Sequence, residues 1–405
     1  MRNLLFAAAA LCLVSTSVLA QGTFPLKYQD LDSQAEPAPL EMANKYVGGT
    51  VEKPPAVVAG PAGATQAVMY FGLPVGDGTR WFAVVAANPP KLYADTNGNN
   101  NLSDEKAVDG AGPDPERGGM ISFGPVTLTV GEKAPVRVRA MAPRAPPGGE
   151  PVPFLLVLPA GGMVGDITLG GQAYRAMLVD GNLNGRYGDT FSGLSNLSLG
   201  AADFLAIDLN QNGRFDMPDF ESAAAIETSP LTSGIKVGGA YYRIQVPADG
   251  SQIQAEKVEP AFGTLAVDVP GLSFLTLSDF GFQRIGPVDG KASLAAGKYT
   301  VLQMTLTQRD EAGAEWTLTG RSGKEDPLQI LPDQTLQLQI GPPLKARIEV
   351  GQTEGTASMT FSLVGRGGEV YAGGAMKDGK RQPAPKLEIL DESGKVLATG
   401  TFEYG

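Results

Sequence analysis

Apolar and polar residues alternate along much of this chain with a period of two. "VTLTVGEKAPVRVRAM" (126–141), "ITLGGQAYRAMLVD" (167–180) and "IKVGGAYYRIQV" (235–246) each place two such runs around a short turn. That spacing belongs to half-buried strands, and the Gly-Gly pairs of the last two supply the positive φ angles of two-residue turns, so three hairpins are predicted. From about residue 270 the alternation becomes continuous: "LAAGKYTVLQMTLTQRDEAGAEWTLTGR" (294–321), "QTLQLQIGPPLKARIEV" (334–350), "ASMTFSLVG" (357–365) and "PKLEILDESGKVLATGTFEYG" (385–405), the last a hairpin turning at Ser393 and Gly394. Helical periodicity is confined to "LEMANKY" (40–46) and "PDFESAAAIE" (218–227).

The pattern predicts an all-β fold with the following organisation. Residues 1–20, "MRNLLFAAAALCLVSTSVLA", pair an early Arg2 with an apolar stretch and small residues before Gln21, the pattern of a secretory signal peptide. Residues 21–62, rich in Pro, form an extended lead-in. Residues 63–268 form a β-rich domain of short hairpins, and 269–405 form one or two β-sandwich modules of immunoglobulin-like type. The Pro-rich "APRAPPGGEPVP" (142–153) separates similar strands and is read as a long hairpin loop.

Composition narrows the function. Among 405 residues there is no histidine, and the single cysteine, Cys12, lies inside the signal. Leu11 before it is bulky where a lipid-attachment box has a small residue. Ser-His-Asp and Cys-His catalysis, zinc ligation by nitrogen or sulfur, and disulfides in the mature chain are thereby excluded. Without Arg2 the 32 basic residues become 31 against 43 acidic ones, a net charge of −12, which argues against nucleic acid and anionic membranes as partners. No window reaches the roughly 18 apolar residues of a membrane span. The remaining metals are those that accept all-oxygen ligands, calcium or magnesium.

Three short segments concentrate such oxygens. "YADTNGNNNLSDE" (93–105) carries Asp95, Asn97, Asn99 and Asp104; "MLVDGNLNGRYGD" (177–189) carries Asp180, Asn182, Asn184 and Asp189; "AIDLNQNGRFDMPDFE" (206–221) carries Asp208, Asn210, Asn212, Asp216 and Asp219. Counted from the first Asp, all have oxygen at positions 1, 3 and 5, a turn-tolerant residue at 6 (Asn100, Gly185, Gly213) and an apolar residue at 8 (Leu102, Tyr187, Phe215). Each follows a strand-like run: "KLYA", "AMLV", "FLAI".

This spacing resembles the calcium loop of EF-hand and dockerin-type proteins, without their flanking helices. More loosely, strand, loop and hairpin in this order are similar to large exported bacterial proteins of unassigned activity. The resemblance implies a calcium ion held by side chains at 1, 3 and 5, a backbone carbonyl at 7 and closure at 9 and 12. The third loop fits throughout, with Arg214 giving the carbonyl, Asp216 at 9 and Asp219 at 12. Lys106 and Phe191 stand at position 12 of the other two, so these either close more tightly through Asp104 and Asp189 at position 10, or bind weakly or not at all. Without metal, the same residues make ordinary Asx-turns.

Two classes of function remain. One is an exported, periplasmic or extracellular, calcium-stabilised component of a surface or matrix, non-catalytic, whose partner is a polysaccharide or another surface protein. The other is a polysaccharide-acting enzyme, either a carboxylate glycoside hydrolase or a calcium-assisted lyase, or a carbohydrate-binding module. No local catalytic motif supports the enzyme; "YQDLDSQAE" (28–36), with Asp30, Asp32 and Glu36, lies in the lead-in. Trp81, Trp316, Tyr241 and Tyr242 are the aromatic candidates for a sugar platform, and their strand-like settings favour core packing.

Overall fold

The computed structural model describes residues 21–403 apart from 32–36, 77, 115–118, 131–134, 144–153, 192–200, 218–224, 322–326, 354–355 and 373. The expected signal peptide, most of the segment 218–227, Asp32 and Glu36 lie outside the described residues. The fold is all-β: antiparallel sheets account for nearly every element, and the single described helix, Pro37–Met42, is one and a half turns long. No described helix is long and apolar enough to cross a membrane.

The three predicted hairpins form. Met120–Leu128 pairs with Val136–Pro143, Gly161–Leu169 with Gln172–Val179, and Gly234–Val237 with Ala240–Gln245. Both Gly-Gly turns sit at positive φ: 62° and 85° at Gly170 and Gly171, 57° and 82° at Gly238 and Gly239. Val136–Pro143 and Phe154–Pro159 are antiparallel neighbours, the pairing expected on either side of a hairpin loop at 142–153. In the C-terminal hairpin Asp391 accepts the Ser393 N–H at 2.9 Å, and Gly394 adopts φ 84°.

Nine strands between Lys45 and Pro159 form the largest sheet, which buries Phe71, Phe82, Leu92, Phe123, Leu128, Val138 and Leu155 in one cluster. A five-stranded sheet runs in the order Thr228–Pro230, Phe204–Ile207, Gln172–Val179, Gly161–Leu169, Lys27–Asp30. One of its faces packs Ile167, Ala176, Leu178, Leu205 and Ile207 against Ile235, Tyr242, Ile244 and Ile253 of a four-stranded sheet. Its other face packs Met177, Val179, Phe204 and Ala206 against Leu40 of the helix and Phe215. Burial on both sides explains why "AMLV" and "FLAI" are continuously apolar rather than alternating.

Residues 21–62, expected as an extended lead-in, contribute three strands: Gln21–Pro25 pairs with Gln252–Val258, Lys27–Asp30 with Gly161–Leu169, and Lys45–Thr50 with both Phe154–Pro159 and Val68–Val75. One expectation needs correction. The helix expected over 40–46 ends at Met42, where the Asn44 side chain caps the Glu41 carbonyl at 2.5 Å, and Tyr46 is drawn into the strand by pairing with Leu156. Membership of sheets changes between Val258 and Phe262, a few residues ahead of 268, because Phe262–Val267 joins Lys291–Ala295 and, in parallel, Thr335–Leu338. That small sheet and the one built on Leu272–Ser278 and Gly297–Arg309 enclose a second core of Leu265, Phe274, Tyr299, Val301, Met304 and Leu338.

Candidate metal-binding loops

Each Asp-Asn loop leaves the end of a strand: Lys91–Ala94 in the nine-stranded sheet, and the neighbouring Gln172–Val179 and Phe204–Ile207 in the five-stranded one. The last two are antiparallel, so their loops lie at opposite ends of that sheet. All three first aspartates, Asp95, Asp180 and Asp208, are buried. Position 8 anchors the loops: Leu102 and Phe215 are fully buried, and Tyr187 packs half-buried on the core beneath.

The hydrogen bonds repeat almost atom for atom. Asp208 takes the N–H of Asn212 at 3.1 Å on one carboxylate oxygen and of Gly213 at 2.9 Å on the other; Asp180 does the same with Asn184 at 3.2 Å and Gly185 at 2.8 Å. Asp95 takes Gly98 at 2.8 Å and Asn100 at 3.2 Å. The position 3 oxygen of Asn97, Asn182 or Asn210 accepts the N–H of position 5 at 3.0, 3.1 and 2.9 Å. The position 5 oxygen of Asn99, Asn184 or Asn212 accepts the N–H of position 7 at 2.8 Å in every loop.

To close these rings the backbone turns left-handed at position 6, with φ 59° at Asn100, 73° at Gly185 and 82° at Gly213. It does so also at position 4, where φ is 78° at Gly98, 58° at Leu183 and 59° at Gln211. Sequence reasoning missed this second left-handed position, because leucine and glutamine disfavour that conformation.

Each loop closes on a carboxylate. The Nδ2 of Asn99 donates to Asp104 at 2.8 Å, that of Asn184 to Asp189 at 2.6 Å and that of Asn212 to Asp216 at 2.7 Å. Asn182 and Asn210 add second bonds to Asp189 and Asp216 at 2.9 and 2.7 Å. Asp104 and Asp189 at position 10 therefore stand where Asp216 stands at position 9. Of the position 12 residues, Lys106 is exposed, Phe191 hydrogen-bonds Leu231 through its backbone, and Asp219 lies outside the described residues.

A second carboxylate backs every loop, and none of the three was singled out from sequence. Glu105 accepts the N–H of Thr96 at 2.7 Å and its hydroxyl at 2.7 Å. Asp203 accepts Gly181 at 3.1 Å and Asp189 at 2.8 Å. Glu227 accepts Asn210 at 3.0 Å and Asp216 at 2.9 Å. Asp203 and Glu227 are buried and immediately precede the strands Phe204–Ile207 and Thr228–Pro230, each the next neighbour in the sheet. An acidic residue directly ahead of the strand that follows a loop is the sequence signal that would have found them.

The second loop is electrostatically the most loaded. Burial pushes the Asp180 carboxyl up to about 6 against the pull of its backbone N–H donors. Burial and the Asp180 charge push Asp203 up to about 8. The Lys45 ammonium faces both, and its own pKa is lowered by burial. Asp180 also borders a cavity of about 370 Å³ lined by Tyr28, Asp30, Arg137, Tyr187 and Asp249. There Arg137 engages Asp30, and burial holds Tyr28 protonated with its pKa near 12.

The oxygens that could serve an ion in the third loop belong to Asp208, Asp216, the Arg214 carbonyl and the amides of Asn210 and Asn212, whose Oδ1 atoms here accept backbone N–H groups while their Nδ2 atoms face Asp216. Among the described residues no three Asp or Glu side chains come together as a metal-holding group, so amide and carbonyl oxygens would complete any shell. Hard oxygen ligands with a low carboxylate count suit calcium at modest affinity. The remaining candidates divide: Tyr241 and Tyr242 are buried, whereas Trp81 and Trp316 are half-buried, the latter bonded through its indole N–H to Asp310 at 2.9 Å. No protein-family model, curated protein or solved structure matches the chain.

Proposed function

We propose that this chain is an exported, calcium-stabilised β protein that works outside the cytoplasm without catalysis, as a surface, matrix or binding component. The observation that carries the reading is the threefold recurrence of one loop conformation, each with a buried first Asp and an amide bonded to a closing carboxylate, joined by a second amide in the second and third loops. Isolated Asx-turns need neither a buried Asp nor two amides aimed at one carboxylate. In a mature chain without cysteine, ions bound at strand ends would cross-link the sheets as disulfides do elsewhere.

The third loop ranks first, with Asp208, Asn210, Asn212, the Arg214 carbonyl, Asp216 and Asp219 as the residues that would hold the ion. Sites of this charge bind with dissociation constants of about 10⁻⁴ to 10⁻³ M, which extracellular calcium fills. Calcium at tenfold excess over that constant would add about 1.4 kcal/mol per site, or about 3–6 °C in the unfolding midpoint. Melting curves in calcium and in chelator test this. Equal midpoints in the two would end the proposal.

A further inference from the structure

The hairpin Lys345–Thr353/Thr356–Val364 pairs without a bulge over nine positions, and among the described residues its first strand has a neighbour on one side only. Every residue from Lys345 to Gln352 is exposed. Such an edge, about 30 Å long, offers an open row of backbone N–H and C=O groups. It has no proline and no bulge, and its charged side chains, Lys345, Arg347 and Glu349, are of both signs, so they can pair across the edge as well as repel.

Ala346, Ile348 and Val350 lie on one face, opposite Leu363, Phe361 and Met359, while Lys345, Arg347 and Glu349 lie on the other. Arg347 and Glu349 pair at 3.2 Å, and their side chains are 47% and 65% exposed. We propose that this edge pairs antiparallel with the same edge of a second copy, about a two-fold axis at Ile348.

The register follows from the residues. Directly opposed side chains share a face, so a slip by one residue would set Arg347 against Ile348 and is excluded. Among the registers that remain, an axis at Arg347 opposes two arginines, one at Glu349 opposes two glutamates, one at Ala346 opposes Lys345 to Arg347, and one at Val350 leaves Glu349 facing Gly351 and Ile348 facing Gln352. An axis at Ile348 sets Arg347 against the partner's Glu349 and Glu349 against the partner's Arg347. It also sets Ile348 on Ile348 of the partner subunit and Ala346 on the partner's Val350, so charge and apolar complementarity select one arrangement. The contact is isologous and closes after two copies. It does not depend on the metal loops.

Light scattering on the exported chain from Gln21 onward, between about 1 µM and 1 mM, tests the pairing. The expected result is a concentration-dependent dimer. Arg347→Glu alone and Glu349→Arg alone each create like-charge pairs and weaken the dimer by about tenfold or more. The two single variants mixed together form a heterodimer, and the double variant dimerises like the parent, because both restore opposite charges. These rescues also show that the variants fold. A chain that stays monomeric throughout, or a dimer indifferent to the single reversals, overturns the proposal.

Discussion

Glu227 receives the backbone N–H of Asp216 at 2.9 Å on one carboxylate oxygen, and the other oxygen takes the N–H of Asn210 at 3.0 Å. The buried carboxylate thus ties the two ends of the third loop to the strand that follows it. Replacing it by alanine leaves two donors without a partner, at about 1–3 kcal/mol for each group left unsatisfied. Glu227→Ala is expected to lower stability in urea unfolding by about 2–6 kcal/mol and to abolish calcium stabilisation of that loop. Glu227→Gln, which keeps one acceptor, falls between. A Glu227→Ala variant as stable as the parent would show that the loop stands without its backing group.

Asp208 separates the metal site from the turn. Asp208→Asn keeps the shape but places an amide N–H against the N–H of Asn212 or Gly213 and removes one charge from the shell. The expected outcome is a destabilisation of about 1–3 kcal/mol in chelator and the loss of one binding event in calorimetric titration with calcium. Asp95→Asn and Asp180→Asn, tested separately, report whether the loops that close through Asp104 and Asp189 bind as well. Titration curves that keep their stoichiometry in Asp208→Asn would remove the third loop from the list of sites.

Asp180 and Asp203 predict a pH dependence with a definite sign. Their folded values, about 6 and about 8, lie above the ordinary carboxylate value, so the folded chain binds more protons than the unfolded one between about pH 4 and 8. Stability in chelator must therefore fall as pH rises through that window, by at most about 1.4 kcal/mol per pH unit per group. Calcium reverses the tendency if the second loop binds it, since the ion favours ionised Asp180; the gap between calcium and chelator should widen with pH. Asp203→Asn should flatten the chelator profile. A parent profile already flat from pH 4 to 8 would contradict the burial argument.

The recurrent devices were legible and the distant ones were not. Gly170-Gly171 and Gly238-Gly239 announce their turns because few other residues tolerate positive φ at both positions. Asp208, Asn210 and Asn212 announce a loop because short oxygen-bearing side chains at alternate positions bond back to the chain. Asp203 and Glu227 show only their place directly ahead of a strand, since their partners sit on the far side of a loop. The Gln21–Pro25 strand is silent for a similar reason: it takes its conformation from Gln252–Val258, near the other end of the domain, and its own five residues do not alternate. The parallel pairing of Phe262–Val267 with Thr335–Leu338 likewise has no short-range cause.

Leucine and glutamine at the left-handed position 4 allow strain and packing to be separated. Leu183 has φ 58° and is wholly buried in the core of the nine-stranded sheet, whereas Gln211 has φ 59° and is exposed. A left-handed conformation costs a residue with a side chain about 1–2 kcal/mol, and glycine escapes most of this while losing more entropy on folding. At Gln211 nothing opposes the relief, so Gln211→Gly should leave stability unchanged or raise it by up to about 1 kcal/mol. At Leu183 the same change removes a buried side chain, and loss of its packing, about 2–5 kcal/mol for leucine to alanine, outweighs the relief. Leu183→Gly is therefore expected to be strongly destabilising in urea unfolding and Gln211→Gly neutral or stabilising. Equal effects at the two sites would mean that the backbone at position 4 is not held left-handed in solution, and with it would go the common loop geometry on which the calcium proposal rests.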